Sequence, residues 1–424
     1  MKPVRFAVIG LGGFAAAHIE AVEWLEQLGL GKLSAVIALP KDRRVHPELV
    51  QRLRTKGVRL FSSIADFWQK GTHLADVLTV PIGIHEHAPV TLQALNADLH
   101  VYCEKPAAAT IQEVDQLIQA RNHHAKKVVI GFQYLFSPAL QAAKKLVCTR
   151  SYGRPLQARV VHCWPRSIEY FRRNAWAGKL RLGKAWVLDS PANNAMAHFI
   201  MNLLYLASWE EHRAARPQEI TAELYRVNPI ESADTVQFQF RTDGGLHGHV
   251  ILTHATAQEI GPLTELVFEK GKLVQKGLNG TVELSDGRHS LVFENTTPTW
   301  RFEGFRQLVY AIQGKSIPLV DRSLELARMH TLLINGMHES AIPVADIPEA
   351  YCYTEEAEQH WPPNTTARFY RIRDLEAHVN TAMENGEFFS AMGIPWARAG
   401  SSIALQDYHR FPRPDGRFAR YYGA

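Results

Sequence analysis

Along the first third of the chain, short apolar runs alternate with amphipathic stretches. Phe6–Ile9, Leu33–Leu39, Val77–Val80, His100–Cys103 and Lys127–Gly131 have the length and apolar character of buried strands. Between the first two, Phe14, His18, Val22 and Leu25 recur at helical spacing. Pro47–Lys56, His87–Asn96 and Thr110–His123 read as further helices. The last opens on Thr110 as N-cap, with Glu113 placed for a capping box. Strands alternating with helices predict a parallel sheet with right-handed crossovers.

The pattern changes near Gly131–Tyr134. Leu156–Trp164, Thr221–Tyr225, Asp234–Thr242 and Gly245–Thr253 are β-rich runs around one helical segment, Asn193–Ala207. Leu263–Lys270 and Lys272–Gln275 read as a hairpin around Gly271, followed by Thr281–Leu284. Helical patterns return at Glu303–Gln313 and Ser323–Ser340. This grouping predicts an α+β domain on a largely antiparallel, open-faced sheet. Three segments are therefore expected: 1–132, 133–341, and a weakly periodic extension, 342–424, rich in proline and aromatics. The extension, with Trp361-Pro362-Pro363 and Trp396, would wrap a neighbour, shape a pocket or pack on its own subunit.

Composition narrows the function classes. A chain of 424 residues, 46% hydrophobic and 21% charged, is ordinary globular protein of about two domains. Lys plus Arg number 47 against 42 for Asp plus Glu, a net charge of +5 that gathers into no tail or stripe. Charge alone thus points away from nucleic acid. No segment reads as a secretory signal or a bilayer span. The cysteines, Cys103, Cys148, Cys163 and Cys352, form no CxxC pair, which suits free thiols in a cytoplasmic protein. His85-Glu86-His87, His123-His124 and His247-Gly248-His249 lack the spacing of known metal motifs, so no metal is expected.

Gly10-Leu11-Gly12-Gly13-Phe14-Ala15 follows a strand directly and opens a helix, the setting in which G-x-G-x-x-G/A holds a dinucleotide. The first glycine permits the tight turn, and the second lets backbone approach a pyrophosphate. The small Ala15 lets the helix pack close to the sheet, and N–H groups at the helix start hold the phosphates. The competing reading is a bare glycine turn. An NAD site usually places an acidic residue at the end of the second strand. Here Ala38-Leu39-Pro40 is followed by Lys41, Arg43 and Arg44, cations that suit the 2′-phosphate of NADP unless they are simply a solvated loop.

His100-Val101-Tyr102-Cys103-Glu104-Lys105-Pro106 places a carboxylate and an amine at the carboxyl end of a strand, where open α/β sheets bind ligands. Pro106 keeps Lys105 out of helical geometry. Lys105 could stabilise charge developing on a substrate oxygen. A surface ion pair in an exposed turn is the alternative. With these residues the chain resembles the Gfo/Idh/MocA oxidoreductase family, which includes glucose–fructose oxidoreductase and inositol dehydrogenase. The resemblance rests on Gly10–Ala15, Pro81 with His85 and His87 beyond it, Cys103-Glu104-Lys105-Pro106, Gly131-Phe132-Gln133-Tyr134, the segment with Asn194 and His198, and Phe302–Ala341. It covers roughly residues 1–341. It implies a Rossmann domain followed by an open-faced sheet domain, a nicotinamide cofactor, and a sugar, cyclitol or polyol substrate. Pro81, His85, Glu104 and Lys105 would join Gly10, Gly12, Gly13, Phe14 and Ala15 around the cofactor, and Tyr134 would meet substrate.

Asn194 and His198 stand four residues apart, on one face of the expected helix. Oxidising a secondary alcohol requires a group to take the hydroxyl proton, which suits histidine. A core histidine is the alternative. The resemblance implies an Asp-x-x-x-His pattern here with His198 as the acid/base. The chain departs from it, with Asn194 at the Asp position and Met201 where an acidic residue often follows. Asn194 can orient a hydroxyl but cannot raise the basicity of His198 by charge. Trp164, Arg166, Tyr170, Arg173 and Trp176 form an aromatic and cationic stretch fit for a hydroxylated or anionic ligand, or for a structural crossover.

The expectation is thus an NAD(P)-dependent dehydrogenase of a sugar-like alcohol or ketone, with Lys105, His198 and Asn194 as reactive residues and NADP favoured. Its rivals are redox-assisted lyase or glycosidase chemistry and a non-catalytic ligand sensor. An open sheet face needs cover, and a homodimer or homotetramer would provide it.

Overall fold

The computed structural model describes residues 2–359 and 365–423. They form two compact units. The first comprises the chain up to Ala108, Glu113–Phe136 and Thr297–Ala327; the second comprises Ala109–Gln112, Ser137–Thr296 and Arg328 onward. The first unit thus takes in Thr297–Ala327, part of the 133–341 segment, and the extension belongs to the second.

In the first unit six parallel strands line up in the order β3-β2-β1-β4-β5-β6: β1 (Val4–Ile9), β2 (Gly31–Ile37), β3 (Arg59–Phe61), β4 (Val77–Val80), β5 (His100–Cys103) and β6 (Val128–Ile130). The order reverses between β1 and β4, the switch point at which doubly wound sheets bind ligands. All residues of β4 and β6 are buried, as an apolar run covered on both faces requires. The helix Phe14–Gln27 lays Ala15, His18, Ile19, Val22 and Leu25 on the core. Thr297–Ala327 contributes Phe305, stacked on Tyr102 at 3.8 Å, and Arg121 joins it to the unit through Glu325 and the Asp321 carbonyl. The helices Pro47–Thr55, Ile84–Asn96 and Ile111–His124 stand where the periodicity places them. The strand β3 escaped it, because Arg59-Leu60-Phe61 is no continuous apolar run, unlike the equally short Val128-Val129-Ile130 of β6.

The second unit is built on ten strands. In chain order its elements begin with β7 (Pro155–Cys163), then a separate small hairpin of β8 (Arg181–Leu182) and β9 (Ala185–Trp186). They continue with β10 (Pro217–Arg226), β11 (Thr235–Thr242), β12 (His247–Thr253), β13 (Ile260–Phe268), β14 (Gly271–Lys276), β15 (Thr281–Ser285), β16 (Ser290–Phe293) and β17 (Ala345–Asp346). A second hairpin, β18 (Cys352–Glu358) with β19 (Thr366–Ile372), precedes β20 (Ile403–Ala404). The large sheet runs β16-β15-β14-β13-β7-β12-β11-β10-β17, with β20 also on β10. It is antiparallel except for the parallel pairs β7·β12 and β10·β17, so the sheet is mixed.

The helix of this unit covers Ala197–Leu206 rather than Asn193–Ala207. Before it the chain winds through turns in which Asn193 and Asn194 donate their N–H groups to the Ser190 carbonyl. The Asn193 amide also donates to the Val187 and Leu188 carbonyls, side-chain bonds that compete with helix.

The extension covers one sheet face of its own unit. Ile372, Leu375, Val379, Ala382, Phe389 and Trp396 form a buried cluster with Val161 and Cys163 of β7, Tyr225 of β10 and Ile251 of β12. Trp396 meets the Tyr225 ring edge-on at 4.9 Å. Trp361-Pro362-Pro363 lies outside the described residues. On the other face His162 of β7 meets Phe199 of the Ala197–Leu206 helix at 5.1 Å. The sheet therefore finds cover within the chain on both faces over these strands.

Candidate functional site

The glycine loop leaves β1 with Gly10 at φ +98° and turns into its helix at Gly13, φ 58° and ψ −133°. An L side chain disfavours both conformations. A Cβ on Gly10 would lie 2.9 Å from the Ala15 Cβ, so the small residue at 15 and the absent one at 10 are two halves of one close approach. At Gly13 the space where a Cβ would lie is open for 4 Å, which leaves the backbone bare at the helix start. A Cβ on Gly12 would lie 2.7 Å from Nε2 of His46, a residue the sequence reading passed over.

The cations beyond β2 sit on a short helix, Pro40–Val45. Lys41 and Arg44 are exposed; Arg43 is half-buried and donates from Nε to the Ala38 carbonyl at 3.0 Å. Its Nη2 is buried with no hydrogen-bond partner among the described residues. Asp42, one helical position before Arg43, is a nearby carboxylate that the sequence reading left out.

At the Glu-Lys-Pro turn the structure joins two motifs the sequence separates by ninety positions. Lys105 is buried, and its Nζ lies over the Phe14 ring of the glycine loop, 5.9 Å from the centroid. Phe14 itself is 56% exposed. Glu104 turns into the unit, where Oε1 accepts from His18 Nε2 and from Gln133 Nε2, each at 3.0 Å. A Cβ on Gly131 would collide with that carboxylate at 2.7 Å, which explains the glycine there. His87 braces the turn from behind: Nδ1 stands 2.7 Å from the Pro106 carbonyl and Nε2 3.1 Å from that of Ile82. Burial lowers its pKa, and a neutral ring donates to only one carbonyl, which the shorter contact assigns to Pro106. Pro81 and His85 are half-buried at the end of β4 and the start of its helix, His85 being 3.6 Å from Glu86. Tyr134 sits in the unit's core, its ring 4.9 Å from Trp300 and its hydroxyl pushed up to about 12 by burial.

In the second unit Asn194, Ala195 and His198 are the positions between Val187 and Ala207 that burial spares, so an accessible face survives although Asn194 precedes the helix. Met201 is fully buried core. The carboxylate missing at position 194 is supplied at one remove. Asp189, buried, accepts the Asn194 amide on Oδ1 at 2.9 Å and the Gly178 N–H on Oδ2 at 2.6 Å. Five residues apart across an irregular turn, this pair had no periodic signal to betray it.

The aromatic and cationic residues come together as a stack. Arg166 lies over Trp164 at 3.7 Å and over Tyr170 at 4.9 Å; Arg173 lies over Tyr170 at 3.8 Å and Trp176 at 5.2 Å. His162, unremarked in the sequence, extends the stack on Trp164 at 5.2 Å, and burial holds its pKa at about 4. Lys179 is engaged with Glu231 at 2.7 Å, and Trp186 packs on Phe411 and Phe418 of the extension, away from this group. Among the described residues no cluster of three or more His, Cys, Asp or Glu is placed for a metal ion, and no helix is long and apolar enough to cross a membrane.

A parallel sheet with its glycine loop at the switch point defines a dinucleotide-binding class of fold. A model of the oxidoreductase family with an NAD-binding Rossmann fold matches residues 4–132, and a model of the GFO/IDH/MocA C-terminal domain matches 140–274. The chain belongs to the Gfo/Idh/MocA oxidoreductase family. Its relatives include an inositol 2-dehydrogenase/D-chiro-inositol 3-dehydrogenase of Halalkalibacterium halodurans, 26% identical over 40% of this chain and 47% of that protein. An inositol 2-dehydrogenase of Corynebacterium glutamicum is 26% identical over 71% of this chain and 82% of its own. The chain spans just under half the length of the first relatives it matches, 47% and 45%. Among solved structures, the WlbA dehydrogenase from Bordetella pertussis in complex with NADH and UDP-GlcNAcA superposes with a TM-score of 0.63, at 20% identity over 78% of this chain and 94% of that one. An oxidoreductase domain protein from Kribbella flavida gives 0.66 at 18% identity, over 80% and 96%. At these identities the likeness is one of fold.

Proposed function

We propose that the chain is an NAD(P)-dependent oxidoreductase that oxidises a secondary hydroxyl of a sugar, cyclitol or related polyol, or reduces the matching ketone. The observation that carries this reading is the buried Lys105 amine held over Phe14 of the glycine loop. The inositol dehydrogenases among the relatives support the polyol class. The open backbone at Gly13 and the close pairing of Gly10 with Ala15 fit a pyrophosphate. Gly10, Gly12, Gly13, Phe14 and Ala15 would hold it, with Pro81, His85, Glu104 and Lys105 near the reactive ring. When bound, nicotinamide accepts or returns the hydride.

The chain's own groups supply the rest. Lys105 donates a hydrogen bond to the reacting oxygen and favours negative charge there, while His18, Gln133 and His87 fix the turn that holds it. His198 takes the hydroxyl proton or gives it back. Asn194, restrained by Asp189, orients the hydroxyl. Trp164, Arg166, Tyr170, Arg173 and Trp176 contact the rest of the substrate; Tyr134 supports from the core. NADP is the favoured form, on the strength of Lys41, Arg43 and Arg44 and of an Arg43 Nη2 without a partner among the described residues, with Asp42 as the argument for NAD. A cytoplasmic location agrees with four free thiols. A homodimer or homotetramer would use the edge at β16, where Leu291 and Val292 are 47% and 57% exposed.

Fluorescence titration with NADH and NADPH, followed by a polyol screen, tests this reading. Lys105→Ala should lower turnover by at least about 100-fold while leaving dinucleotide affinity intact. Near-normal turnover removes Lys105 from the mechanism, and absence of any dinucleotide binding removes the oxidoreductase. Loss of substrate without net reduced nicotinamide would identify redox-assisted elimination or glycoside cleavage instead. Tight binding without turnover would identify a ligand sensor, the reading that Asn194 in place of aspartate favours.

A further inference from the structure

Two guanidinium groups flank one ring in the second unit. Arg166 and Arg173 both lie over Tyr170, and each lies over a tryptophan as well, Trp164 for Arg166 and Trp176 for Arg173. Like charges brought together on an aromatic platform repel, and the repulsion grows as water is removed from around them. Carboxylates normally relieve it. Elsewhere in this unit they do: Arg154 meets Glu269 at 2.9 Å, Lys179 meets Glu231 at 2.7 Å and Arg226 meets Asp346 at 2.5 Å. Among the described residues no carboxylate forms an ion pair with Arg166 or Arg173. Glu259, whose charge acts on Arg166, stands instead 3.7 Å from His162.

Nor are the hydrogen bonds spent. The Arg166 Nε is buried and has no partner among the described residues. Among the described residues the Arg173 side chain donates only to Tyr170, from Nη1 to its carbonyl and also to its hydroxyl. Burial disfavours the charged form of Arg166, and Arg173 adds to this; Glu259 and Tyr170 offset it only in part. The stack also has an address. It starts at His162, which meets Phe199, the residue next to His198, and Tyr170 lines a crevice too narrow for water together with Asp189, Ser190 and Pro191. Asp189 in turn holds Asn194.

We propose that Arg166 and Arg173 form an oxyanion subsite, and that the substrate is an acidic sugar or polyol carrying a carboxylate or phosphate. This rests on the polyol oxidoreductase reading above. A planar fork presented by aromatic stacking is pre-ordered for two parallel N–H···O bonds, the geometry that carboxylate and phosphate share.

Calorimetry on the protein loaded with NADPH or NADH, whichever it binds more tightly, with D-glucose, D-glucuronate and D-glucose 6-phosphate tests the proposal. At least one charged sugar should bind tenfold or more tightly than glucose, about the worth of one charge-assisted bond, and the advantage should shrink with added salt. Preference for glucuronate assigns a carboxylate and preference for the phosphate assigns a phosphoryl group. Arg166→Gln should abolish the advantage. So should Arg173→Gln, which changes an exposed residue; an unchanged melting temperature checks that the variant is folded. Charged sugars that bind no better than glucose, or not at all, overturn the proposal, as does a preference that survives both substitutions. Failure to bind both NADPH and NADH strikes the oxidoreductase reading itself. Normal binding of either with no charge preference strikes the oxyanion subsite alone.

Discussion

Gly10 and Gly12 stand two positions apart in one loop, yet they answer to different constraints. At Gly10 both the backbone, φ +98°, and the 2.9 Å approach to the Ala15 Cβ forbid a side chain. Gly10→Ala should therefore cost about 1–3 kcal/mol of stability and abolish dinucleotide binding, as strain and overpacking act together. At Gly12 the obstacle is the tip of the His46 side chain, which can swing away. Gly12→Ala should melt within a few degrees of the wild type and lose affinity only. Thermal unfolding alongside an NADH titration separates the two, and equal melting points would refute the distinction. The pattern G-x-G-x-x-A was readable because the chemistry needs those residues consecutively. His46 was not, because nothing in the sequence says that a residue thirty-four positions on folds back over Gly12.

Among the elements, the turn from Asp189 to Met196 best shows what periodicity cannot see. A helix over Asn193–Ala207 was the natural reading of the apolar pattern, since Ala, Met, Ile and Leu occupy it almost continuously. The structure starts the helix at Ala197, because Ser190 and Asn193 satisfy the preceding backbone locally while Asp189 holds the Asn194 side chain. Asp189→Ala would leave the Gly178 N–H and the Asn194 amide without their acceptor inside a buried turn. The expected loss is about 1–3 kcal/mol in urea unfolding, with a fall in turnover as Asn194 loosens. An unchanged midpoint would show that the turn is held by Ser190 and Asn193 alone. The long central strands β7, β11 and β12 were legible because their β-rich runs extend over seven or more residues, whereas only the Thr221–Tyr225 half of β10 was. The strands β17 and β20, two residues each, exist only because β10 offers them an edge.

For the whole molecule, buried histidines set the acid limit. His100, His162 and His249 are held at about 4 and His338 at about 3, in each case chiefly by burial. The unfolded chain takes up their protons below about 6.5, whereas the native protein does so only near those lower values. Between the two the unfolded state binds more protons, so stability falls as pH falls. Asp234, Glu223 and Glu339, raised by burial, act in the opposite direction and soften the slope. His338 faces the paired rings of Phe411 and Phe418, with both ring nitrogens lacking partners among the described residues. It alone should account for about 2 kcal/mol at pH 5. His338→Leu should flatten the melting temperature between pH 6.5 and 4; a slope as steep as the wild type's would show that other groups govern acid unfolding.

Taken alone, the sequence determined the parallel sheet, the glycine loop, the Glu-Lys-Pro turn and the family. Each of these is a local pattern, in which neighbours along the chain are neighbours in the chemistry. Tertiary structure alone decided that Glu104 is held by His18 and Gln133, that Asp189 stands behind Asn194, and that Phe305 stacks on Tyr102 from a segment two hundred residues away. It also decided where the extension goes. An apolar sheet face must be covered, but hydrophobic burial is non-directional, and the same residues would serve a neighbour's sheet as well as their own. The closure of Leu375, Val379 and Phe389 onto β7, β10 and β12 is settled by packing and chain connectivity, neither of which a linear pattern records.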